Sequence, residues 1–246
     1  VSVRGTHLYG DSWAQGVATR QTPIGVAVLV GQSNARGAST YTGVSGEDLA
    51  TVHPTLTPTF YDAGVEVTTY DATEVGPLPR LIELMGAEDS SPVVIRRAVS
   101  ASPESSMRLT QLPGVLTDLA ALELTPEDVG LVWLVHGESP SLVEDQAVDY
   151  AADKLERNVR ICESLFEHAL VAISLLRSDD DYGAYYATIR DAQRVVAARR
   201  GSRRLVDTLL PTPIELEAAS VVHYSSGTGG GYDDVVDRLW AALGAS

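Results

Sequence analysis

Short, continuous apolar runs recur along the chain, with longer helix-like stretches between them. The runs are Ile24–Val30 (IGVAVLV), Val93–Ile95, Leu131–Val135, Ala169–Leu176 and Arg204–Val206. Continuous rather than alternating apolar runs suit strands buried on both faces, as in a parallel sheet covered by helices. Helical patterns fall between them, at Leu78–Met85, Gly114–Leu122, Ser141–His168, Tyr182–Arg200 and Tyr232–Leu243. This alternation predicts an α/β fold, a doubly wound parallel sheet of about five strands with helices on both faces.

Polar stretches punctuate the pattern. Ala38–Pro58 is rich in Thr, Gly, Ser and Pro and reads as a long loop of the kind that often faces substrate. Ser178–Gly183 is an acidic loop, and Gly227–Gly231 is a glycine run. No internal repeat or linker is evident, so residues 1–246 are expected to form one domain, with 1–22 as an N-terminal extension. Ligands of open α/β sheets bind beyond the carboxyl ends of the strands. The positions to inspect therefore follow Val30, Ile95, Val135 and Leu176.

Composition narrows the function classes. Of 246 residues, 44% are hydrophobic and 21% charged, as in a globular domain. No apolar run approaches the ~18 residues that span a bilayer, so no membrane partner is expected. No charged segment followed by an apolar core opens the recorded chain. The formal charge of −15 would repel phosphates, which argues against nucleic acid as a partner. Lys154 is the only lysine, a bias that either a GC-rich genome or a high-salt habitat produces. Cys162 is alone, so no disulfide framework exists, and its helical setting reads as core packing.

The sharpest signal follows the first run. Val30 leads into Gly31-Gln32-Ser33-Asn34-Ala35-Arg36-Gly37. A serine just past a buried strand stands at the mouth of the sheet, where nearby backbone N–H groups can face an oxyanion. A turn whose serine caps a helix is the alternative. The segment is not a P-loop, since no Gly-Lys-Ser/Thr follows, nor a GxSxG elbow, since residue 35 is Ala.

The string VLVGQSNARG resembles the nucleophile block of the SGNH hydrolases, in their sialate O-acetylesterase-like branch, the family 6 carbohydrate esterases. Further segments follow in that family's order. Val75-Gly76-Pro77 resembles its Gly-Pro helix entry, and His136-Gly137-Glu138-Ser139 its Gln-Gly-Glu-Ser segment. Ile189–Gln193 resembles its Arg-x-Ala-Gln helix, and His223 stands where its catalytic His precedes the last helix. The resemblance spans about Ile24 to Leu243. It implies a three-layer α/β/α sandwich around a parallel, flavodoxin-like sheet. Three positions depart from the family. Val99-Ser100-Ala101-Ser102 replaces Gly-Gly-Thr, His136 replaces Gln, and Ser220 stands where Asp is usual, three residues before His223.

The resemblance implies a serine esterase removing O-acetyl groups from a carbohydrate or glycan, without cofactor. Ser33 is the expected nucleophile. Ser12, in Gly10-Asp11-Ser12-Trp13, is its competitor, but no buried strand precedes it. His223 is the expected general base. The acid that orients it is open among Glu138, Glu217, Glu215 and Asp207, with a Ser-His dyad held by a backbone carbonyl as a further option. Oxyanion or substrate contacts are expected from Gln32, Asn34, Ser100, Ala101, His136 and Gly137. No metal site is expected, because no clustered Cys, His-Glu-x-x-His or calcium-loop spacing occurs. The competing expectation is an inactive carbohydrate-binding or structural module. Such modules sit on secreted proteins or on virions, and under either reading a homo-oligomer or a virion or extracellular assembly is a further expectation.

Overall fold

The computed structural model describes residues 23–37, 44, 46–71, 75–177, 184–216, 223–225 and 230–244. The five apolar runs form five parallel strands: β1 (Val26–Gly31), β4 (Val93–Ala98), β5 (Leu131–Val135), β6 (Leu170–Ser174) and β7 (Arg203–Val206). They lie side by side in the order β4-β1-β5-β6-β7, the flavodoxin-like order. Two further strands, β2 (Thr59–Asp62) and β3 (Val65–Val67), extend the β4 edge and complete a seven-stranded sheet. β2 pairs parallel to β4, and β3 returns antiparallel to β2.

Side chains alternate across β1 to build two cores. Ala27 and Leu29 face one layer, with α3 (Leu78–Gly86) and α9 (Gly231–Ala242). Val26, Val28 and Val30 face the other, with α5 (Leu112–Ala121), α7 (Leu155–Leu165) and α8 (Tyr186–Ala197). The fold is therefore the expected three-layer sandwich. Short helices α1 (Ser33–Arg36), α2 (Leu49–Val52), α4 (Glu104–Ser106) and α6 (Glu144–Asp149) lie between these elements. Among the described residues no helix is long and apolar enough to cross a membrane.

Three details differ from the sequence expectation. The Ala38–Pro58 stretch, expected as loop, carries the single turn of α2, whose Leu49 is buried against the α3–α9 core. The β2–β3 hairpin turns through Ala63 (φ 49°) and Gly64 (φ 94°), two successive positive-φ residues as a type I′ turn requires. The helix expected over Ser141–His168 is broken up. A 3₁₀ turn at Pro140–Leu142 precedes α6, and a π-helical turn at Tyr150–Lys154 joins α6 to α7. A second π turn, Met107–Gln111, joins α4 to α5.

Candidate active site

The chain crosses from one side of β1 to the other between β4 and β5, so a crevice opens at the carboxyl ends of β1 and β5. Both segments singled out by sequence leave the sheet there. Gly31 ends β1 so close to β5 that a Cβ on it would lie 1.9 Å from the Val135 carbonyl oxygen. Gln32 N–H then donates to that oxygen at 2.9 Å, and α1 begins at Ser33. Gly37 closes this turn with φ 83° and meets the backbone of Gly76. The Val75-Gly76-Pro77 segment thus packs directly behind the Ser33 turn.

Ser33 retains 8% of its surface exposed at the head of α1. Its neighbours are fixed by buried amides. Gln32 is 0% exposed, and its Nε2 donates to Ser102 O at 2.6 Å and to Ser139 Oγ at 2.8 Å. Its Oε1 accepts from Gly137 N–H at 3.1 Å and Ser139 N–H at 3.3 Å. Gln32 therefore spends its whole hydrogen-bonding capacity on the loops after β4 and β5. Gln111, which sequence reasoning did not single out, clasps Gly31 from the other side. Its Oε1 accepts from Gly31 N–H at 2.9 Å and its Nε2 donates to Gly31 O at 3.1 Å. Gln111 belongs to one π turn and Tyr150 to the other, so both π turns press a side chain against this site.

The loop after β4 carries Ser100 and Ala101, both exposed. Ser102 N–H donates to Val99 O at 3.3 Å, closing a tight turn in which Ala101 has φ 52°. That left-handed conformation favours glycine.

After β5, His136 stacks on Tyr150 with ring centroids 5.5 Å apart and planes 10° off parallel. Neither ring nitrogen has a hydrogen-bond partner among the described residues, and burial pushes the imidazole down to about 4. The ring is held neutral. Gly137 adopts φ 135°, and a Cβ there would meet Ile189 at 2.8 Å. Glu138 is buried, and its Oε1 accepts from Asn34 Nδ2 at 3.0 Å while Oε2 lacks a partner among the described residues. Burial pushes the Glu138 carboxyl up to about 7, against the opposing pull of hydrogen bonds from its own backbone N–H and from Asn34.

Asn34 Oδ1 accepts from Tyr224 N–H at 3.2 Å, which brings the His223 segment to the Ser33 turn. His223 is half-buried. Of the other carboxylates considered, Glu215 Oε2 accepts from Ser225 Oγ at 3.1 Å. Asp207 Oδ1 accepts from the N–H groups of Leu209 and Leu210 at 2.8 and 3.1 Å. Glu217, Ser220 and the competing Ser12 lie outside the described residues. No group of three or more His, Cys, Asp or Glu among the described residues could hold a metal ion.

No family model matches the chain, and no curated protein matches it. Solved structures do. An Arabidopsis thaliana protein superposes with a TM-score of 0.64 at 15% identity, over 90% of this chain and 97% of that one. Axe2, an acetyl xylan esterase from Geobacillus stearothermophilus, superposes with a TM-score of 0.57 at 12% identity, over 91% and 95% of the two chains. NanS does so with a TM-score of 0.59 at 12% identity, over 90% and 97%.

Proposed function

From the SGNH hydrolase fold, which this chain has, we propose that it is a serine esterase removing O-acetyl groups from a carbohydrate. The observation that carries the reading is the position of Ser33. It stands at the β1–β5 switch point, on a turn whose two flanking residues, Gln32 and Asn34, are pinned by buried hydrogen bonds. Such rigidity suits transition-state stabilisation, because preorganised groups need not reorganise during reaction.

In this reading Ser33 Oγ attacks the acetyl carbonyl carbon and His223 takes its proton. N–H groups near Ser33 and from the Ser100–Ala101 turn face the oxyanion. The tetrahedral intermediate collapses, the C–O bond to the sugar breaks, and the imidazolium returns the proton to the leaving alkoxide. Water, deprotonated by His223, then hydrolyses acetyl-Ser33. One of Glu138, Glu215, Glu217 and Asp207, or a backbone carbonyl, orients His223 in this reading.

The second reading is an inactive carbohydrate-binding or structural module. Ala101 in a left-handed turn and the His136 imidazole, whose ring nitrogens have no hydrogen-bond partner among the described residues, favour it. Hydrolysis of an aryl acetate and of acetylated xylo-oligosaccharides separates the two. The esterase reading requires turnover that Ser33→Ala and His223→Ala each abolish. Binding of the oligosaccharide without turnover selects the module.

A further inference from the structure

We propose that Asn34 is a positioning residue for His223, its carboxamide held in one orientation by Glu138 so that it seats the His223 segment beside the nucleophile turn. The catalytic consequence rests on the serine-esterase reading. The structural part rests on the hydrogen bonds alone.

Asn34 directly follows Ser33 on α1 and is only 2% exposed, so its side chain points into the protein. Its Oδ1 takes the Tyr224 N–H at 3.2 Å, across 190 residues of sequence. Tyr224 is covalently bonded to His223, so this contact fixes the backbone from which the imidazole projects. The Tyr224 ring is packed in turn, edge-on to Tyr232 with centroids 5.4 Å apart. Tyr232 Oη also stands 3.5 Å from Asn34 Oδ1.

An amide can present either its oxygen or its nitrogen to a neighbour. Glu138 removes that freedom. Above about pH 7, where Glu138 ionises, its carboxylate only accepts, so it selects Nδ2, 3.0 Å away, and leaves Oδ1 for the Tyr224 N–H. A flipped amide would set Nδ2 against that N–H, donor against donor. It would also set Oδ1 against the carboxylate. Asn34 and Glu138 thus form one unit reaching from the loop after β5, through the residue beside the nucleophile, to the residue beside the base. Misplacement of a catalytic group by about 1 Å can cost on the order of 100-fold in rate, so this unit bears on kcat more than on KM.

The test pairs kinetics with hydrogen exchange at the Tyr224 amide in the full chain. In Asn34→Ala, Tyr224 exchange accelerates at least about 10-fold while α9 amides keep their protection. kcat on an aryl acetate falls about 10–100-fold with KM within about twofold, and added imidazole restores part of the loss. Glu138→Gln can still accept from Nδ2 but no longer forbids the flip, so it loses part of kcat, Glu138→Leu falls with Asn34→Ala, and the double variant is no worse than the poorer single. Should Asn34→Ala fail to fold, Asn34→Ser carries the same comparison. Retained protection of the Tyr224 amide overturns the proposal, as does accelerated exchange with unchanged kcat. A parent protein without esterase activity overturns the esterase reading instead, and the exchange measurement then decides the clamp by itself.

Discussion

Gln32 Nε2 lies 2.6 Å from the carbonyl oxygen of Ser102, tying the Ser33 turn to the loop that carries the proposed oxyanion N–H groups. The remaining capacity of the same amide goes to Gly137 and Ser139. Gln32→Ala would strand several buried polar groups, each worth about 1–3 kcal/mol. A loss of at least about 3 kcal/mol is expected, lowering Tm by roughly 6–12 °C in a domain of this size. Calorimetry checks it, and a Tm shift under about 2 °C would mean that these contacts are replaced by water.

Ala101 tests the turn itself. Its φ of 52° costs an L-residue about 1–2 kcal/mol relative to glycine. Ala101→Gly should therefore be neutral or stabilising by up to about 1 kcal/mol, after the extra unfolded-state entropy of glycine is offset. Ala101→Val should destabilise. Urea titrations decide the matter, and a loss of about 1 kcal/mol in the glycine variant would place Ala101 in an ordinary conformation.

His136 and Glu138 make opposite pH-dependent contributions to stability. Glu138 is pushed by burial from 4.5 up to about 7, so the native state keeps a proton that the unfolded chain releases. Its contribution is full below about 4.5 and is lost as pH rises through about 7, on the order of 3 kcal/mol. His136 is pushed by burial from 6.5 down to about 4, so the native state refuses a proton that the unfolded chain takes up. Its contribution is full above about 6.5 and is lost as pH falls through about 4, by a similar amount. The two slopes offset each other between about pH 4.5 and 6.5. Relative to the parent, Glu138→Gln should gain stability as pH rises through that window, and His136→Gln should lose it. Urea titrations at several pH values check both, and variant slopes parallel to the parent's would contradict the assignment.

The charge of −15 predicts a Tm that rises from dilute buffer to molar salt, where screening shortens the reach of self-repulsion to about 3 Å. Thermal melts across a salt series test this. A flat or falling Tm would assign the scarcity of lysine to genome composition.

Where the sequence reading stopped short, charge was usually the reason. The expected strand ended at Ile95, yet β4 runs to Ala98 through two arginines. Arg96 is buried against Asp62 at 2.7 Å, and Arg97 pairs with Asp118 at 2.6 Å. In β7, Arg203 is likewise buried and holds Glu156 and Glu163 at 2.8 and 2.9 Å. Periodicity treats such residues as surface, because pairing between distant segments is invisible in one dimension. The β2–β3 hairpin was hidden for another reason: Ala63 occupies a turn position where Asn or Asp would have announced it. At the site, Ser33 and Glu138 were legible because each follows a strong apolar strand. Gln111 was not. It sits in a π turn within an otherwise helical stretch, and no periodic signal marks a glutamine whose partner, Gly31, is 80 residues away.

The central claim is that Ser33 is the activated nucleophile. Intact-protein and peptide mass spectrometry after reaction with a fluorophosphonate tests it most directly. One adduct per chain is expected, on the peptide containing Ser33, absent in Ser33→Ala, slowed in His223→Ala and unchanged in Ser12→Ala. An adduct that survives Ser33→Ala, or no adduct on the folded parent protein, would contradict the account.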